Sequence, residues 1–139
     1  MTTVATDDIT RCAHGFVTFL ESSGAEVPDG LFHDDVFVDF SLPTWRLQTV
    51  GVAAAVAMRQ GGHPWSGRVP RSRVDRTGTG FVIEVEETWD ADGDTWYCRE
   101  LIRADVVDGS IAEMSVYCTG DWDSARVAEH AAAVTLIRP

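Results

Sequence analysis

The sequence predicts an α+β domain in which helices come first and a curled antiparallel sheet follows. Three features point there: an amphipathic opening segment, an alanine-rich second segment of helical character, and turn signals that divide much of the remainder into β-rich stretches. The 139 residues read as one domain, residues 1–139, because a second core of ordinary size would not fit.

Over residues 7–23, Ile9, Cys12, Ala13, Phe16, Phe19 and Leu20 fall on one helical face. Thr6 is placed to cap this helix, Asp7 and Asp8 complement the positive end of its dipole, and Gly24 is placed to stop it. After the turn at Pro28-Asp29-Gly30, Leu31-Phe32-His33 is expected as a single helical turn. Residues 36–40 then read as a strand that Pro43 ends.

Residues 48–60, rich in Ala and Val, favour a second helix closed by Gly61-Gly62 and Pro64. Turn signals at residues 77–80, 90–94 and 108–109 mark β-rich stretches near 67–76, 81–89, 95–106 and 111–119, the spacing of a meander. Residues 124–133 read as a short helix capped by Asp123 or Asp121, with an extended end at 134–137.

The formal net charge of −11 repels phosphate backbones and anionic lipid, so neither nucleic acid nor a membrane is an expected partner. No apolar run approaches the roughly 20 residues that span a bilayer. All 11 basic residues are Arg, which excludes Schiff-base chemistry by a lysine of this chain. The first residues carry no signal-peptide pattern and the three cysteines are scattered, so a reduced, cytoplasmic protein with buried thiols is expected. Phosphate-binding glycine loops, nucleotide fingerprints and Ser-His-Asp arrangements are missing from the sequence, and the expected chemistry needs no cofactor.

The order helix, short helix, strand, helix and meander resembles the nuclear transport factor 2-like superfamily, and more narrowly its SnoaL-like, polyketide cyclase-like branch. The residues that carry the resemblance are LFHDDVFVDFSLP at 31–43, Thr49-Val50-Gly51 leading into the second helix, and VVDGSIAEMSVYCTGDWD at 106–123. The resemblance implies a cone-shaped sheet wrapped around the N-terminal helices and a deep, mostly apolar pocket, in a protein that is commonly a homodimer. Its relatives include isomerases, cyclases, dehydratases and epoxide hydrolases as well as non-catalytic binding modules, so the chemistry has to be read from residues.

Three acids are candidates for catalysis. Asp39 interrupts the apolar strand Val36, Val38, Phe40 and shares a face with Phe37; it either enters the pocket as a general base or sits at an edge, meeting water or capping the Ser41-Leu42 turn. On the first reading, Asp39→Asn is expected to abolish turnover. Glu100 is framed by Trp96, Cys98, Ile102, Ala104 and Val106 on one alternation, while Tyr97, Arg99, Leu101, Arg103 and Asp105 form a more polar opposite face. Asp121 follows the last strand, where the resemblance to a SnoaL-like cyclase implies an acid/base carboxylate, although an Asp before a helix also reads as an N-cap. Tyr117 is a further candidate, as a hydroxyl donor to a developing enolate, on the alternation opposite to Cys118.

An epoxide hydrolase-like arrangement would draw on Asp39, Arg99 and either Glu100 or Asp121, but Arg99 and Glu100 are adjacent and point to opposite faces. Phe16, Trp45, His63, Trp65, Trp96, Cys98 and Cys118 are the candidate ligand-binding residues, His63 at the pocket mouth and the indoles as aromatic walls. Cys98 and Cys118 can be cross-strand neighbours with His63 or His14 nearby, yet no ligand pair has close metal spacing, so they read as packing thiols and no metal is expected. The expected function is a pocket for a small hydrophobic substrate or ligand, acted on by cofactor-free acid/base catalysis, with a non-catalytic binding or assembly module as the alternative.

Overall fold

A computed structural model describes residues 6–139, with the side chain of Thr6, and so its expected cap, outside the described part. The elements are α1 (Thr6–Glu21), β1 (Phe32–Leu42), β2 (Trp45–Val50), α2 (Val52–Gly62), β3 (Gly67–Arg76), β4 (Gly80–Ala91), β5 (Asp94–Val107), β6 (Ser110–Cys118) and α3 (Ser124–Ala133). The six strands form one curved, unclosed sheet in the order β2-β1-β6-β5-β4-β3. Every pairing is antiparallel except β1 with β6, which run parallel because the chain returns through the whole meander before meeting β1 again.

Period-2 alternation decides which side chains the sheet turns inward. Phe81, Ile83, Val85, Glu87 and Trp89 of β4 are buried, as are Cys98, Glu100, Ile102, Ala104 and Val106 of β5. Against that face α1 lays the stripe read from its 3.6-residue period: Ile9, Cys12, Ala13, Phe16, Phe19 and Leu20 are all buried in the main core. A smaller apolar cluster, Trp89, Ala91 and Cys98 with Trp96 beside it, fills the opposite end of the β4–β5 hairpin.

The meander falls within two residues of its expected bounds, whereas the 31–50 region differs from expectation. Instead of a helical turn, Phe32 and His33 open β1, because the Ile111 amide of β6 donates to the Leu31 carbonyl at 2.8 Å and Phe32 registers with Ile111. Residues 45–50 form the edge strand β2 rather than a lead-in to α2. That strand alternates Arg46, Gln48 and Val50 with residues that are also largely exposed, so its hydropathy signals no buried face.

Gly51 lets the chain leave β2 for α2. Its φ of 95° is open to glycine at little steric cost, and its amide donates to the Val36 carbonyl at 2.9 Å. At the far end Asp123, not Asp121, caps α3 by accepting from the Arg126 amide at 2.8 Å. Residues 134–137 follow α3 without regular structure and are exposed.

Candidate active site

Between α1, α2 and the inner face of the sheet lies a cavity of about 160 Å³. Phe16, Phe19 and Leu20 come from α1, Val38, Phe40 and Leu42 from β1, and Met114 and Val116 from β6, so the walls are apolar. Its polar groups are concentrated elsewhere: Arg59 and His63 from α2 and its cap, Glu87 from β4, Cys98 and Glu100 from β5, Cys118 from β6, and Asp121. A cavity near 150 Å³ holds a single aromatic ring, which sets the scale of what fits without rearrangement.

Strand register brings the acids together. Glu87 lies opposite Cys98, and Glu100 lies opposite Cys118 on the next strand. Glu87 and Glu100 are 3% and 5% exposed, too buried for either to be left without a partner. Arg59 donates to Glu87 at 2.5 Å (Nη2 to Oε1) and 3.2 Å (Nη1 to Oε2), and to the Leu20 carbonyl at 2.8 Å. The Cys98 thiol lies between the two carboxyls, 3.9 Å from Glu87 Oε2 and 3.7 Å from Glu100 Oε1.

Their environments push them apart. Burial holds the Glu100 carboxyl well above the usual carboxylate range, and the neighbouring Glu87 adds to that. Burial acts on Glu87 too, but the neighbouring Glu100 and the Arg59 cation outweigh it and keep Glu87 below its ordinary value. The two carboxyls are therefore shifted in opposite directions, Glu100 toward its neutral form and Glu87 toward its charged one. Asp121 is exposed at the mouth of the cavity, and its pKa is raised by desolvation and then by the charge of Glu87, with Arg59 opposing.

Gly120, at φ 85°, turns the chain after β6 so that Asp121 reaches the cavity. The neighbouring thiols shift each other, Cys98 raised by Cys118 and then by burial, and Cys118 lowered by Cys98 with burial opposing. His63 is 8% exposed, with its ring against Trp89 at a centroid distance of 3.9 Å and both ring nitrogens lacking hydrogen-bond partners. Burial, then the Arg59 charge, lowers its pKa.

Of the expected residues, Glu100, Asp121, Phe16, His63, Cys98 and Cys118 line this cavity. Asp39 does not. It sits on the outer face, where Arg46 reaches both carboxylate oxygens, at 2.8 Å and 2.5 Å, and that hydrogen-bonded pairing lowers its pKa. The reason is parity: Val36 and Val38 fill the core, so Asp39 points away with Phe37.

Tyr117 is corrected in the same way. It lies opposite Leu101 and is 58% exposed on the outer face. Trp45 is 64% exposed on the edge strand, Trp65 covers His63 from outside, and Trp96 packs in the smaller cluster with its Nε1 donating to the Ala91 carbonyl; none lines the cavity. Arg99 faces outward to Glu84 and Glu86.

Sequence reasoning missed Glu87 and Arg59. Glu87 carries the signal that exposed Glu100, one acid framed by Phe81, Ile83, Val85 and Trp89 on a single alternation. Arg59 carries none, since an Arg in the last turn of a helix is ordinarily a solvated cation favoured by the dipole. With Glu100 they place two carboxylates and an arginine on one cavity, whereas the set of Asp39, Arg99 and Glu100 or Asp121 does not assemble because Asp39 and Arg99 face outward.

No protein-family model matches the chain, and no curated protein matches it either. Solved structures do. A nuclear transport factor 2-like protein from Anabaena variabilis superposes with a TM-score of 0.68 at 19% identity, over 87% of this chain and 96% of that one. A candidate polyketide cyclase from Xanthomonas campestris gives 0.64 at 18% identity, over 80% and 90%. An LEH-like epoxide hydrolase from M. tuberculosis gives 0.61 at 14% identity, over 81% and 84%. With three helices packed on a six-stranded open sheet that superposes on these structures, the chain has the nuclear transport factor 2-like fold.

Proposed function

We propose that this protein is a cofactor-free acid/base enzyme, of the isomerase or cyclase kind found in the SnoaL-like branch, acting on a small hydrophobic molecule that carries an oxygen function. The observation that carries this reading is the convergence of Glu87, Glu100 and Asp121 on one apolar cavity, with Glu100 raised and Glu87 lowered in pKa. Asp121, once ionised, takes a proton from one carbon and returns it to another, which restores the carboxylate, and its raised pKa makes it a stronger base than an ordinary Asp. Neutral Glu100 gives its hydrogen bond to the oxygen on which charge develops. Glu87 is held toward its charged form by Arg59. His63, with unsatisfied ring nitrogens at the cavity wall, orients a polar substituent.

A plugged, non-catalytic core would pair Glu100 with Arg and leave no space. Here Arg59 pairs with Glu87 and the cavity is present, which favours the catalytic reading. Hydrolysis of an epoxide is the second reading, favoured by Arg59, Glu87 and Glu100 lining one cavity, as an acid-arginine-acid set would. Homodimerisation is proposed through the outer sheet face, where Leu101 and Tyr117 are cross-strand neighbours exposed by 44% and 58%.

Native mass spectrometry of freshly purified protein, followed by turnover assays on the compound it retains, tests the proposal. A hydrophobic compound that the parent converts, and that Asp121→Asn binds without converting, supports it. Conversion undiminished in Asp121→Asn and Glu100→Gln overturns it, as does a protein that takes up no small hydrophobic ligand.

A further inference from the structure

We propose that Cys98, Glu100 and Cys118 form a binding site for a thiophilic divalent cation of the zinc type, with a fourth coordination position open to the cavity. One ligand atom from each of the three lies within 4.8 Å of the others. The sheet produces this convergence. Cys98 and Glu100 are two residues apart on one face of β5, and Cys118 of β6 registers with Glu100 on the same face. Cys98 Sγ and the Glu100 carboxylate are already 3.7 Å apart, and tetrahedral zinc with Zn–S bonds of about 2.3 Å asks for donors roughly 3.5–3.8 Å apart. The widest of the three separations, at most 4.8 Å, has to shorten by about 1 Å for tetrahedral coordination.

The donor set selects the ion. Two thiolates and one carboxylate suit zinc, cobalt or cadmium, whereas magnesium and calcium require oxygen donors throughout. Cys98 and Glu100 are 2% and 5% exposed, so water does not compete for the ligand positions, and the bonds to the cation have to offset the loss of the ligand protons. Glu87 Oε2 lies 3.9 Å from Cys98 Sγ, and Arg59, fixed on Glu87, neutralises that carboxylate beside the ligands. Sequence alone assigned these thiols to packing; the contribution of Glu100 becomes visible only once the strands are paired. Binding forms metal–ligand bonds only and releases the ligand protons to solvent, with no change of oxidation state.

This inference is independent of the proton-transfer reading, although both use Glu100. A bound cation displaces the Glu100 proton and so switches the acid off, which makes metal and turnover mutually exclusive.

The test is a Co²⁺ titration of reduced, chelator-treated full-length protein without substrate, followed in the visible and near ultraviolet. The expected result is one Co²⁺ per chain, tetrahedral d–d bands and sulfur-to-cobalt charge transfer, all erased by equimolar Zn²⁺. C98S and C118S each remove part of the charge-transfer band and weaken binding more than about tenfold, since even outer partners of metal ligands cost that much. C12S, whose thiol contacts the Gly109 carbonyl far along α1, leaves the spectrum unchanged. X-ray absorption of the parent cobalt complex covers the case where C98S does not fold. Two sulfur neighbours support the site; none or one, or a spectrum that survives C118S, overturns it. Because no substrate is present, failure here leaves the proton-transfer reading standing.

Discussion

Arg59 closes on Glu87 and leaves Glu100 beside Glu87 and the Cys98 thiol, which donates to Glu100 at 3.7 Å. That asymmetry sets which carboxyl is charged, and it makes the ion pair a structural dependency: the two side chains are only 12% and 4% exposed. Arg59→Met is expected to cost about 3–5 kcal/mol in urea unfolding, because it strands a buried carboxylate. The double variant Arg59→Met with Glu87→Gln is expected to regain much of the loss. Equal stability of the single variant and the parent would show that the pair contributes nothing.

Glu100 makes stability depend on pH with an unusual sign. Its folded pKa is raised, so between the ordinary carboxyl value and that raised value the folded state holds a proton the unfolded chain has lost. Stability therefore falls as pH rises through that window. Glu87 acts oppositely: its lowered pKa contributes stability that is present above the ordinary carboxyl pKa and is lost as pH falls through the folded value. Glu100→Gln removes the proton linkage. The variant is expected to gain on the parent as pH rises from acid to neutral, in chemical denaturation at a series of pH values. A pH-independent difference would contradict the assignment.

Asp121 and Asp123 stand two residues apart with separate jobs. Asp121→Asn is expected to lower turnover by about 10²–10⁴-fold with little change in melting temperature, the range for a positioned general base. In the parent, kcat/KM is expected to rise with pH through an apparent pKa above that of an ordinary Asp, because only ionised Asp121 accepts a proton. Asp123→Ala, in contrast, removes the α3 cap and is expected to cost about 0.5–2 kcal/mol without altering kcat.

Asp39→Asn provides the negative control. With Arg46 holding Asp39 on the outer face, the substitution is expected to leave kcat and KM unchanged, opposite to what the sequence reading expects. Abolished turnover with an intact fold would return Asp39 to the site.

Oligomeric state has a direct check. Leu101→Glu places a charge beside Tyr117 and near Glu84 on the outer face, where Glu84 and Leu101 are registered neighbours. Light scattering after size exclusion is expected to show a dimer for the parent and a monomer for the variant. A monomeric parent removes the dimer proposal.

The sequence by itself determined the α1 stripe and the meander, because each rests on a local period of 3.6 or 2 that neighbouring residues reveal. Glu100 was legible for the same reason, and Glu87 was legible by the same pattern. Tertiary structure alone decided which face of β1 is covered, and hence that Asp39 and Tyr117 point away from the cavity. Alternation says which residues share a face but not which face a helix will cover. Likewise, nothing local distinguishes Arg59 from a solvated helix-end cation; only the packing of α2 over β4 gives it Glu87 to meet, and only strand register sets Cys118 beside Glu100.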